Sequence, residues 1–220
     1  MIPLKDDIPS NRRPYITYII LACNIIVFIY ELTLGKNLDN FFFAYGAVPS
    51  SLISGHNPLA VLTLFSSMFM HANFAHIIGN MLFLWIFADN IEDRMGYFWF
   101  PIFYFFCGIS GSLLHIVISP SSDIPMIGAS GAISGVLGAY VLLFPKARVL
   151  ALIPLGFFMR MTYLPSYIFL GIWFLYQFIF GVSSIGARGG GVAYFAHIGG
   201  FVAGFLIALL FRRKSYYKIV

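Results

Sequence analysis

The segment GASGAISG, residues 128–135, puts two serines where a chain this apolar would be expected to carry Leu and Phe. A serine hydroxyl becomes a useful nucleophile only beside a base, so its chemistry depends on a histidine elsewhere. One lies in AYFAHIGGFVAGF, residues 193–205, where His197, Gly200 and Gly204 stand at i, i+3 and i+7 and share one helical face. Ser130, Ser134 and Gly138 share a face in the same way, next to another formed by Gly131 and Gly135. Glycines spaced G-x-x-x-G let two helix backbones approach closely, as a Ser–His hydrogen bond between helices requires. A third element, HANFAHIIGN at residues 71–80, sets His76 and Asn80 at i and i+4. Imidazole and amide N–H groups aimed at a developing oxyanion support acyl transfer without burying a full charge. The same glycine seams also occur in helices that only pack, and a lone Asn can simply be interhelical glue, so at this level either serine, or neither, could react.

The elements that hold these residues follow from composition. Of 220 residues, 60% are hydrophobic and only 10% charged, which implies a multi-pass membrane protein. That length accommodates several spans of about 20 residues without a further soluble domain of typical size. Cys23 and Cys107 both fall in apolar stretches, so neither a disulfide nor a cysteine metal site is expected, and no cofactor is implied. The formal charge of +5 comes from residues dispersed at segment ends, a pattern that speaks for membrane orientation and against a nucleic-acid partner. The first apolar run is too long for a signal peptide and lacks a small-x-small cleavage site, so it reads as an uncleaved helix.

Six spans are predicted, at 15–34, 74–88, 97–119, 127–144, 164–182 and 192–211, the second and fourth being short. The runs 59–70 and 149–159 are too short to span and read as interfacial or re-entrant segments. With this count, all 13 Lys and Arg except Lys36 and Arg188 fall on the side of the two termini. That asymmetry makes the termini cytoplasmic. The expected organisation is a cytoplasmic segment 1–14, a membrane domain 15–211 and a basic tail 212–220. The second, fourth and sixth spans then all run inward from the outer face. At about 1.5 Å per residue, His76, Asn80, Ser130 and His197 fall in one layer, one to two turns below that face.

In this order, His76-x-x-x-Asn80, Gly128-Ala129-Ser130-Gly131 and Ala196-His197-x-x-Gly200-x-x-x-Gly204 resemble the rhomboid intramembrane serine proteases. The resemblance extends through NIEDRMG, residues 90–96, similar to the family's Glu-x-Arg-x-x-Gly region with one residue fewer before Gly96, and through FPKARV, residues 144–149. It covers about residues 14 to 211. It implies an all-α membrane protein, a compact bundle of six transmembrane helices, in which Ser130 is the nucleophile and His197 the general base. His76, Asn80 and the backbone N–H of Ser130 would form the oxyanion hole, and Gly128, Gly131, Gly200 and Gly204 would serve close packing. The implied substrates are transmembrane helices of other proteins within the lipid bilayer, cut near their outer ends. A prokaryotic plasma membrane is the expected location. Ser130 fits Gly-x-Ser-Gly, whereas Ser134 lies one turn deeper and stands where some relatives carry an aromatic ring beneath the histidine. The first loop lacks a Trp-Arg pair that some relatives have.

The other polar residues receive quieter readings. His115 is expected at the interface, His71 to pin the first loop as its family counterpart does, and His56 in solvent. Asp123 reads as a loop cap, and Glu92 and Arg94 as a structural or lipid-facing ion pair on the inner side. The glycine-rich loop 183–191 resembles the family's cap over the site, beside a fifth span walled by Phe174, Tyr176, Phe178 and Phe180. Two rival functions remain at this stage. A rhomboid-like protein that binds or escorts helices would typically lack the serine or the histidine. A transporter would line a continuous polar path, whereas here the polar groups crowd into one layer.

Overall fold

The computed structural model describes residues 1–155, 158–186 and 191–212. In chain order the elements are β1 (Ile2–Lys5), α1 (Tyr15–Thr33), α2 (Leu38–Tyr45), α3 (Pro49–Ser54), α4 (Thr63–Ser66), α5 (Phe74–Ile118), α6 (Ser130–Leu143), β2 (Arg148–Leu155), β3 (Phe158–Pro165), α7 (Ser166–Ser183) and α8 (Tyr194–Ala208). Among the described residues four helices are long and apolar enough to cross a bilayer: α1, α5, α7 and the run Tyr194–Phe211 that contains α8. The 45-residue α5 is interrupted at Gly96, whose φ of 81° and ψ of 166° are not helical. Glycine tolerates that conformation where other residues would be strained, so residues 74–95 and 97–118 form two helical segments joined at a corner. Between α3 and α5 the run 59–70 is a string of short helical turns, Pro58–Leu62, α4 and Ser67–Phe69.

Helix α6 has 14 residues, and all of those from Gly131 to Tyr140 are buried. It sits at the centre because its small residues admit neighbouring backbones. A side-chain carbon at Gly200 would lie 2.0 Å from the carbonyl oxygen of Gly131, and one at Gly204 2.0 Å from that of Gly135. Gly138 is equally tight against the carbonyl of Phe201, and Gly111 of α5 would meet that of Ala196 at 2.3 Å. Helices α6 and α8 therefore touch backbone to backbone through the seams that the glycine spacing suggested, and α5 joins them at Gly111, a close approach that the sequence reading did not assign to this helix. One continuous apolar core surrounds them, running from Leu84 and Phe87 of α5 through Val136 and Tyr140 of α6 to Phe169 of α7.

The segment 149–159, read from the sequence as interfacial or re-entrant, is strand in its described residues and contributes to a three-stranded antiparallel sheet in the order β1-β2-β3. Val149 and Ala151 of the central strand are fully buried, while the N-terminal residues supply the edge strand β1, its register shifted between Pro3 and Lys5. A short apolar run cannot be assigned to strand or helix from periodicity alone. Here the pairing decides: β2 runs antiparallel to β3 next to it in the chain, from Arg148–Pro165 to Leu155–Phe158, and takes β1, almost 150 residues away, on its other edge. The sheet closes the end of the bundle opposite the start of α6. Ser166 ties it in by donating its backbone N–H to Ala147 O (2.7 Å) and its hydroxyl to Phe144 O (2.6 Å).

The NIEDRMG segment clamps that same end through two helix termini. Glu92 Oε1 accepts the N–H of Ile16 at 2.9 Å, and its Oε2 accepts both the N–H and the hydroxyl of Thr17 at 2.7 Å. The first N–H groups of a helix lack partners of their own and carry the positive end of its dipole. No side chain of α1's own cap residue serves them, so a carboxylate from α5 does. Arg94 Nε donates to Phe211 O at 2.9 Å, at the carboxyl end of the last helix, where a cation is favoured for the converse reason.

Tyr140 extends from the buried end of α6 and donates its hydroxyl to Asp6 Oδ2. Burial, reinforced by the neighbouring carboxylates Asp89 and Asp7, raises the Asp6 carboxyl from 3.8 to about 6, against the opposing effect of the Tyr140 hydrogen bond. A raised acid holds its proton in the folded state after the unfolded chain has released it, so its contribution favours folding below about pH 4 and is withdrawn as pH rises to about 6. Asp6→Asn, which keeps an oxygen for Tyr140, is therefore expected to flatten that part of the stability profile and to melt no lower than the parent protein at pH 7. Thermal unfolding in detergent at a series of pH values checks this.

Candidate active site

The chain approaches α6 through a tightly tethered loop. Ala47 and Met126 exchange backbone hydrogen bonds (3.0 and 2.9 Å), and Gly128 N–H donates to Ser67 O at 2.8 Å. Ser130 follows as the first residue of α6, so its own N–H has no carbonyl one turn earlier in the helix to bind. Ser130 Oγ lies 2.7 Å from His197 Nε2. The two residues are 67 positions apart, and the Gly131–Gly200 backbone contact just below brings them within reach. Ser134 Oγ points elsewhere, donating to the Ser130 carbonyl at 2.6 Å.

His76 comes from the first turn of α5, which begins where Asn73 caps it by accepting the His76 N–H at 2.9 Å. Its Nδ1 accepts from Ala72 N–H at 3.4 Å, so in the neutral ring the proton sits on Nε2. That N–H faces Gly128. A side-chain carbon at Gly128 would lie 2.6 Å from His76 Nε2 and 3.6 Å from Ser130 Oγ. Gly128, grouped in the sequence with the helix-packing glycines, instead keeps open a small space between the hydroxyl and the imidazole donor. Asn80 is buried one turn on, its Nδ2 donating to His76 O at 3.0 Å. An amide NH₂ carries two hydrogens, so a second remains for a ligand.

Gly128 gives a direct test of that space. Its φ of +122° is a glycine conformation, and alanine would both strain the turn and push against His76. Gly128→Ala is expected to lower kcat/KM by about 10²-fold, the usual consequence of misplacing a reacting group by about 1 Å, with helix content by circular dichroism unchanged.

The remaining candidates go to other tasks. His71 N–H binds both oxygens of Glu31 at 3.2 Å, fastening the entry of α5 to the last turn of α1, and its buried ring meets that of His76 edge-on at 4.9 Å. Burial first, and then nearby His76, lowers the His71 imidazole to about 4, so it is neutral at physiological pH. Asp123 accepts the Ser50 hydroxyl at 2.6 Å and so ties the loop before α6 to α3. His56 is exposed, and Glu92 and Arg94 are at the sheet end. The proposed cap 183–191 lies partly outside the described residues, as does the tail beyond Arg212. What the sequence reading missed is on α7. Gln177 Oε1 lies 2.8 Å from His197 Nδ1, and the Trp173 ring lies 6.0 Å from the imidazole at 34°. These two hold His197 where Ser134 supplies no aromatic ring. The available signal was an amide inside an otherwise apolar 18-residue helix, since polar groups in such helices need partners.

A family model described as the Rhomboid domain matches residues 58–214. The chain belongs to the rhomboid family. Its sequence is 32% identical over 200 residues to Rhomboid protease GluP of Bacillus subtilis, covering 90% of this rhomboid and 35% of that protein. It is 31% identical over 137 residues to Rhomboid-like protein 11, chloroplastic, of Arabidopsis thaliana, covering 62% and 46% of the two chains. It is also 31% identical over 151 residues to Rhomboid protein 1, mitochondrial, of Saccharomyces cerevisiae, covering 66% and 40%. This rhomboid thus spans between about a third and a half of the length of these relatives. Its apolar helices make it an integral membrane protein.

Proposed function

We propose that this rhomboid is an intramembrane serine endopeptidase that hydrolyses peptide bonds in or near transmembrane helices through a Ser130–His197 dyad. The observation that carries the reading is the 2.7 Å contact between Ser130 Oγ and His197 Nε2, made between α8 and the first residue of the buried helix α6. As Ser130 Oγ attacks the scissile carbonyl carbon, its proton passes to His197 Nε2. The oxyanion is held by the N–H of Ser130, the Nε2–H of His76 and the Asn80 amide. His197 then protonates the leaving amine, and water releases the acyl group from Ser130 by the same steps in reverse order of partners.

The finer topology belongs to the same proposal. Six crossings result if the two halves of α5 and the short α6 each span. Residues 15–211 are then the membrane domain, with residues 1–14 and the basic tail 212–220 cytoplasmic and the site near the outer face. Substrates are transmembrane segments reached from the surrounding bilayer. A protein that only bound such helices would have no use for the serine–imidazole contact.

The test uses purified protein in detergent and a reporter whose transmembrane segment carries helix-weakening residues near one end. Cleavage at one bond, identified by fragment mass, is expected, together with labelling of Ser130 by a fluorophosphonate. Labelling of another residue, or cleavage that survives loss of Ser130, would refute the assignment.

A further inference from the structure

We propose that Gln177 is a positioning residue that sets the tautomer of His197. For its kinetic consequence this rests on the protease reading above, though its geometry does not. A glutamine carbonyl oxygen can only accept hydrogen bonds. With Gln177 Oε1 at 2.8 Å from His197 Nδ1, the ring proton is held on Nδ1. Nε2 then presents its lone pair to Ser130 Oγ at 2.7 Å, and the hydroxyl donates to it. In the other tautomer Nε2 would carry a hydrogen facing the hydroxyl, and no base would be available to take the serine proton. The choice of ring nitrogen in a histidine is set by the partner of the other nitrogen, and on the described residues that partner is Gln177.

The type of residue suits its surroundings. Gln177 is 6% exposed, and a carboxylate there would bring a buried charge at considerable cost. An amide dipole orients the ring, and steadies the imidazolium formed during attack, without one. Gln177 stands on α7, which packs far less extensively against α6 and α8 than those two helices pack against each other. The Gln177–His197 bond and the Trp173 ring near the imidazole therefore fix the rotational setting of α7 at the level of the dyad. Ser134, whose hydroxyl bonds to the carbonyl of Ser130, does not share this task.

The experiment combines imidazole ¹⁵N spectroscopy with kinetics on the full chain in detergent. His197 resonances are assigned by their loss in His197→Ala. The parent protein is expected to show a protonated Nδ1 and an unprotonated Nε2 at neutral pH. Gln177→Leu is expected to move the proton toward Nε2 and to lower kcat by about 10²-fold, the lower range of what a positioned acid–base group contributes, with KM unchanged. Gln177→Glu, which restores an acceptor, is expected to return the proton to Nδ1 and kcat to within about tenfold of the parent. If Gln177→Leu fails to fold, Gln177→Met keeps the chain length without the acceptor and carries the same expectation. A proton on Nε2 in the parent, or an unchanged tautomer and kcat in the Leu or Met variant, overturns the role. Spectra that follow Gln177 in a protein that cleaves no reporter would refute the protease reading and leave the positioning role intact.

Discussion

Ser130→Ala is expected to abolish cleavage of a transmembrane reporter, a fall of at least about 10⁴-fold, while leaving the melting temperature close to that of the parent. The size follows from the role. Without the hydroxyl no acyl intermediate can form, and only residual catalysis by the remaining groups survives. Little stability is at risk because Ser130 opens α6, and removing its half-buried hydroxyl there leaves no cavity in the core. His197→Ala should fall as far, since an isolated serine is too weak a nucleophile. Ser134→Ala is the informative contrast. Its hydroxyl bonds to the backbone of its own helix, a bond worth about 1 kcal/mol or less, so cleavage should stay within about tenfold of the parent. Measuring all three rates at saturating reporter decides between the two serines. Normal cutting by Ser130→Ala and none by Ser134→Ala would reverse the assignment.

The second large effect is expected at Gly200. A methyl group there would sit 2.0 Å from the Gly131 carbonyl oxygen and 3.4 Å from that of Cys107, with backbone rather than yielding side chains in the way. Overpacking typically costs about 1–3 kcal/mol, and a clash with rigid backbone on α6 belongs at the upper end. Gly200→Ala should therefore lose about 3 kcal/mol of unfolding free energy and, by prising α8 from α6, separate His197 from Ser130 and so lose cleavage as well. Gly79→Ala is the matched control. It lies in α5 with nothing within 4 Å of the added carbon, and alanine's better helix propensity should make it neutral or stabilising by up to about 1 kcal/mol. Unfolding in detergent, followed by circular dichroism, measures both. Equal stability of the two variants would mean that the glycine seam does not set the separation of the helices.

Much of the site was legible from spacing because it sits on helices. A helix converts an interval of three, four or seven residues into a common face, so His76 with Asn80, and His197 with Gly200 and Gly204, could be placed together without coordinates. Apolar length and the distribution of basic residues then gave an expected chain direction, and with it an expected shared depth for these groups. The oxygen and the ring nitrogen are 2.7 Å apart in the folded protein. The Gly131, Gly135, Gly200 and Gly204 pattern likewise announced close approach, and the backbones lie so near that a side-chain carbon at Gly200 or Gly204 would fall 2.0 Å from a carbonyl oxygen of α6.

The tertiary structure decided what no interval encodes. Whether Gln177 faces lipid or His197 depends on how α7 is turned about its axis, and a nearly uniform apolar helix carries no periodic mark of that turn. That Glu92 and Arg94 each serve a helix terminus from a distant part of the chain, where free N–H and carbonyl groups draw opposite charges, could not be read from their spacing. Gly128 looked like a packing glycine until the His76 ring was found beside it. The run 149–159 becomes strand by pairing with β3 beside it and with β1 almost 150 residues away, and an apolar run of that length carries no mark of either partner. Local pattern thus determines which residues share a helical face, while the pairing of faces and the partner of each buried polar group are settled only when the helices dock.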